Sequence, residues 1–208
     1  TKYGINPDKV VTVHNAVDFS GRSEMKVERG VQDKVVTFLG RITFQKGPEY
    51  FIEAAAKVLK RCPGVRFVMA GSGDMMNRSI RQVARLGISD RFHFTGFLRG
   101  AEVLKMFALS DVYVMPSVSV PFGISPLEAM RSGVPSVISH QSGAAEVLKY
   151  AFKVDFWDVD AMADQIYALL KYPALADFAS KYGYDEVNTL KWNNAAAKIK
   201  KVYESVVK

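Results

Sequence analysis

Cysteine is nearly absent from this 208-residue chain. Cys62 is the only one, so no disulfide can form within it, and a reducing, cytoplasmic setting is expected. Cys62 lies in "KRCPGVRF", at an expected helix end before a turn, and carries no assigned chemistry. No apolar run approaches the roughly 18 residues that a membrane-crossing helix requires. Histidine is scarce, and His14, His93 and His140 are too scattered to suggest a ligand cluster, so no metal is expected. The formal net charge of +7 suits an anionic ligand. No Arg/Lys run with interleaved aromatics accompanies it, which argues against nucleic acid as the main partner. The chain opens on "TKYGINPDKVVTVHNAVD", without an initiating methionine or a signal-like apolar segment, and reads as a domain excised from a longer protein.

What the chain does have is a repeating alternation. Short apolar runs at 35–40, 66–71, 91–97, 112–117 and 135–140 predict strands, and those at 35–40, 66–71 and 112–117 are apolar enough to be covered on both faces. Helical patterns separate them. In "PEYFIEAAAKVLKR", Phe51, Ala54, Ala55, Val58 and Leu59 share one face, with Pro48 just inside the start. Further helices are expected in "MMNRSIRQVARLG", "AEVLKMFALS" and "PLEAMRSG". After residue 157 only helical patterns remain. The fold class expected is α/β: a doubly wound, Rossmann-like parallel sheet with helices on both faces and an all-helical C-terminal portion, a single domain over 1–208.

Ligands of such sheets collect at the carboxyl ends of the strands. Four segments converge there: "GRITFQKG", "GSGDMM", Gly96–Phe97 and "SVPFGISPLE". In the first, Gly40 allows a tight exit, and Arg41 and Lys46 could face the crevice as a diphosphate site or stay as solvated loop cations. In the second, Gly71 and Gly73 could let a nucleotide approach the backbone, but Met76 stands where a dinucleotide fingerprint needs its third glycine. Asp74 is expected to help start the next helix. "DVD" at 158–160 resembles a metal-binding pair, yet directly before a helical pattern Asp158 or Asp160 reads as a cap. "SPLE" spells a capping box with Ser125 as N-cap, Pro126 at N1 and Glu128 at N3, which by itself accounts for Glu128.

The segments "VVTVHNAVD", "GRITFQKG", "AGSGD", "GF" and "MPSVSVPFGISPLEAMRSGVPSV", in this order, resemble the C-terminal, donor-binding half of retaining family-4 glycosyltransferases of the GT-B fold. The resemblance implies a nucleotide-sugar partner, no cofactor, and an N-terminal acceptor-binding domain that is missing here, with residues 1–18 as a hinge-like lead-in. It implies that Arg41 and Lys46 neutralise the donor diphosphate and that Glu128 holds the ribose hydroxyls. The backbone N–H groups around Phe122, Gly123 and Ile124 would meet sugar and phosphate, and Phe97 and its neighbours would lie by the nucleobase. Gly40, Gly71, Ser72, Val120 and Leu127 complete the implied donor set. The family signature is Glu, seven residues, Glu, and its first position falls on Val120, which cannot hydrogen-bond the transferred sugar. Membrane contact is expected only in a full-length protein. Two alternatives stand beside this: a non-catalytic nucleotide-sugar-binding domain, which Val120 favours, and a sugar-nucleotide epimerase of the same architecture.

Overall fold

The computed structural model describes residues 4–16, 30 and 32–207. Six parallel strands form one sheet: β1 (Lys34–Leu39), β2 (Val65–Ala70), β3 (Phe92–Gly96), β4 (Val112–Met115), β5 (Ser136–Ser139) and β6 (Phe152–Val154), in the order β3-β2-β1-β4-β5-β6. The helices are α1 (Pro48–Arg61), α2 (Met76–Arg85), α3 (Ala101–Leu109), α4 (Ser125–Arg131), α5 (Ala144–Val147), α6 (Val159–Lys171), α7 (Pro173–Val187) and α8 (Trp192–Val206). The strand order reverses between β1 and β4, the switch point at which such sheets open a crevice.

Alternation along β4 shows how both faces are covered. Val112 and Val114 pack with Phe51 and Ile52 of α1 and Met162 and Ile166 of α6. Tyr113 and Met115 turn to the other side, with Phe107 of α3 and Leu127 and Met130 of α4. This is the period of two expected of a strand buried on both faces. The first core is strongly aromatic: Phe51 lies 5.6 Å from Phe38 and 5.7 Å from Phe67, ring centre to ring centre. α1 ends at Cys62, just before Pro63, which disfavours helical geometry in its predecessor.

Two departures from the sequence reading concern elements. β6 was not expected. It is only three residues long with a single buried side chain, too short for periodicity to show. Asp74 does not start α2, whose N-cap is Met75 with no side-chain hydrogen bond. Of the hinge-like lead-in over 1–18, residues 1–3, 17 and 18 lie outside the described residues. His14 within it meets the Glu146 carboxylate of α5 at 2.8 Å.

Candidate functional site

The carboxyl ends of β1, β2 and β3 are stitched together by backbone. Gly40 N–H donates to Ala70 O at 3.0 Å, Gly71 N–H to Gly96 O at 2.8 Å and Ile42 N–H to Ser72 O at 2.9 Å. The glycines are needed for this stitching. A Cβ on Gly71 would stand 1.8 Å from Gly40 O, at a φ of +142°, and one on Gly73 would stand 2.2 Å from Ile42 O. Gly71 and Gly73, read in the sequence as letting a nucleotide approach, here admit the protein's own backbone.

The turn after β1 carries the two predicted cations. Arg41 Nη2 donates to Gln45 Oε1 at 3.3 Å. Lys46 folds its stem back over Gly40, where a Cβ would lie 3.8 Å from Lys46 Cδ. Among the described residues neither cation is paired with a carboxylate. Burial, and then the charge of Arg41, pull the Lys46 pKa below its ordinary value, because both disfavour a second positive charge. Val118 N–H donates to Gln45 O at 3.0 Å, tying this turn to the loop that leaves β4.

That second loop, 117–124, is held from the far side. Gly143 N–H donates to Val120 O and Ala144 N–H to Phe122 O, each at 3.0 Å. Phe122 is buried, with the His14 ring 6.3 Å away. These bonds use the loop's carbonyls. The N–H groups of Phe122, Gly123 and Ile124 find no acceptor among the described residues, and successive N–H groups in a turn can serve an anion. Gly123 adopts a φ of +85° beneath Met115. Val120 is half-buried and packs against the second core.

Ser125 is not the cap that the sequence suggested. α4 begins at Ser125, its N-cap is Ile124, and no side chain closes it. The Ser125 hydroxyl instead accepts from the buried Tyr113 hydroxyl at 2.8 Å. The capping box is thus not formed, and Glu128, in the first turn, lines a cleft. Leu127 is fully buried, so its side chain belongs to the core.

The cleft holds about 430 Å³ and brings together Gly40, Arg41, Gly71, Ser72, Phe97, Ile124 and Glu128. Lys46, Val120, Phe122, Gly123 and Leu127 are not among its lining residues. Leu98, a neighbour of Phe97, lines it too, as do Leu39, Gly100 and Val103, which the sequence reading did not single out; the apolar Val103 shortly after Gly100 was the available signal. Phe97 is exposed, with the Arg99 guanidinium 5.1 Å from its ring centre. Asp158 caps α6, accepting from Ala161 N–H at 2.9 Å, and Asp160 pairs with Lys57. Among the described residues no group of three or more His, Cys, Asp or Glu side chains is placed to hold a metal, and no helix is long and apolar enough to cross a membrane.

The family described as "Glycosyl transferases group 1" matches residues 22–186. An uncharacterized glycosyltransferase of Methanocaldococcus jannaschii is 39% identical over 154 residues, covering 69% of this chain and 39% of that protein. Among solved structures, the C-terminal domain of a glycosyl transferase group 1 family protein from Francisella tularensis is 26% identical, with a TM-score of 0.70, covering 75% of this chain and 85% of that one. A glycosyltransferase from Rickettsia africae shares the fold over 99% of this chain and 59% of its own, at a TM-score of 0.83 and 19% identity. The chain spans 39% to 59% of the length of eight curated relatives that it matches.

Proposed function

Because the chain belongs to the group 1 glycosyl transferases, we propose that it is the donor-binding half of a retaining glycosyltransferase, taking a nucleoside-diphosphate sugar. One observation carries this reading. Arg41 and Lys46, which have no carboxylate partner among the described residues, share the carboxyl edge of the sheet with the N–H groups of Phe122 to Ile124, which find no acceptor among those residues, beside a cleft that also presents Glu128. Charge-assisted hydrogen bonds to an anion are worth roughly 1.5–3 kcal/mol each, so the set suits a diphosphate.

In the reaction proposed, the bond from the anomeric carbon to the diphosphate oxygen breaks, and its electron pair leaves with the diphosphate. An acceptor hydroxyl forms the new bond on the same face, passing its proton to the departing oxygen. Arg41, Lys46 and the loop N–H groups stabilise the charge that grows on the leaving group, so the chain's own cations do the work often done by a metal. Glu128 holds the ribose hydroxyls, and Phe97 with Leu98 flanks the base. Gly40, Gly71 and Ser72 form the floor, and Val120 and Leu127 act as scaffold rather than as ligands. Acceptor recognition is assigned to a separate, N-terminal half, so this chain alone binds donor and transfers little.

Val120 favours one second reading. An apolar residue packed on the core where the family carries an acid fits a nucleotide-sugar-binding domain without activity. Val120→Glu in a protein that includes the acceptor half separates the two, since a non-catalytic domain stays inactive.

The reading is tested by calorimetric titration with UDP, GDP and ADP, beside an Arg41→Ala, Lys46→Ala double variant. Saturable binding of one nucleotide is expected, weakened roughly 100-fold or more by the double change. A folded protein that binds none of the three would overturn it.

A further inference from the structure

Tyr113 is fully buried in β4, paired with Thr37 of β1 on one side and Ser136 of β5 on the other. Phe107 of α3 meets its ring nearly edge-on, at 5.7 Å and 76°. With the ring clamped, the phenolic hydroxyl is aimed at the carboxyl edge of the sheet. There it donates to Ser125 Oγ at 2.8 Å, with the carbonyl oxygen of Leu39 3.3 Å away.

These partners stand at the two sides of the cleft. Leu39 is the last residue of β1, directly before Gly40 and Arg41. Ser125 is the first residue of α4, less than one turn before Glu128. One buried hydroxyl, its single proton shared between Ser125 Oγ and the longer contact to Leu39 O, therefore links the strand end that carries a cation to the helix that carries the acid. α4 has no side-chain cap of its own, so this contact does the work of anchoring its first turn. Burial, with a smaller push from the Glu128 charge, raises the phenol's pKa, which keeps the proton in place to donate.

Resting on the donor site proposed above, we infer that Tyr113 is a positioning residue whose hydroxyl fixes Glu128 relative to the Gly40–Arg41 turn and so sets the site's selectivity for ribose hydroxyls. Tyr113 touches no ligand. It acts by keeping the carboxylate where the sugar edge of the nucleoside arrives, and displacements well under 1 Å weaken such contacts sharply.

The experiment is calorimetric titration of the whole chain with UDP, GDP and ADP and with their 2′-deoxy counterparts. The wild type is expected to prefer the ribonucleotide of its chosen base by about tenfold or more, the worth of one charge-assisted bond. In Tyr113→Phe the ribonucleotide weakens by about that factor while the 2′-deoxy form is unchanged, so the preference collapses. Ser125→Ala does the same, and the double variant adds nothing further, because both changes cut one link. Should Tyr113→Phe fail to fold, Ser125→Ala, outside the core, carries the test. A preference that survives in the folded variants, or equal weakening of both nucleotide forms, overturns the inference and leaves the donor site standing. A wild type that binds but ignores the 2′-hydroxyl does the same. A wild type that binds none of the six removes the donor site, and the inference with it.

Discussion

The starts of α4 and α6 carry similar residues, a hydroxyl or carboxylate just ahead of an apolar-periodic run, and they are built differently. At α6 the local signal is sufficient: Asp158 accepts from Ala161 N–H within its own turn. At α4 the hydroxyl of Ser125 is engaged by Tyr113, twelve residues earlier in sequence, and the helix opens without a side-chain cap. α6 packs against α1 as part of the scaffold, whereas α4 faces the cleft through Glu128. A helix start that serves packing can be closed by its own side chain. One that borders the cleft is held from behind, by a residue of the sheet, while its acid lines the cleft.

The contrast breaks most visibly through the loop before α4. A Cβ on Gly143 would stand 1.9 Å from Pro121 O and 3.2 Å from Phe122 Cα, both of them backbone. Gly143→Ala is therefore expected to cost more than about 3 kcal/mol, or to displace the 120–124 loop and abolish nucleotide binding. Thermal unfolding read together with calorimetry shows which. A variant as stable and as tight as the wild type would mean that the loop is not held from α5.

The two acids give the next test. Glu128→Gln is expected to weaken nucleotide binding about tenfold while changing stability by less than about 0.5 kcal/mol. Asp158→Ala should do the reverse, costing about 1 kcal/mol through loss of a cap with nucleotide affinity intact. Equal effects of the two on stability would erase the distinction between α4 and α6.

The smallest effect concerns Lys46. Its pKa is lowered in the folded state by burial and by Arg41, so between that lowered value and the ordinary 10.5 the unfolded chain binds the proton more strongly. Stability therefore rises with pH across that window and is lost as pH falls through the folded value. At neutral pH, without nucleotide, Lys46→Met should raise the melting temperature slightly while weakening nucleotide binding. In the wild type, affinity should fall as pH climbs through the same window, because the cation discharges.

The strand–helix alternation was legible because apolar runs such as "VVTFLG" and the one-faced pattern of α1 are local features, set by periods of two and 3.6 residues. Their right-handed parallel winding follows from connection rules, and that places "GRITFQKG" and "SVPFGISPLE" at one edge of the sheet. β6 escaped because three residues show no period. The cap at Ser125 was misjudged because a hydroxyl that can satisfy a local N–H can equally serve a distant donor, and spacing does not say which.

By itself, then, the sequence determined the element order, the edge at which a ligand would gather and the residue types gathered there, since these depend on neighbours in the chain. Only the tertiary structure decided that Gly71 and Gly73 admit backbone, that Leu127 is core, that the N–H groups of 122–124 find no partner among the described residues, and that Tyr113 claims Ser125. Each of those depends on which distant atom comes within about 3 Å of a polar group, and that is settled only when the sheet and its two cores have formed.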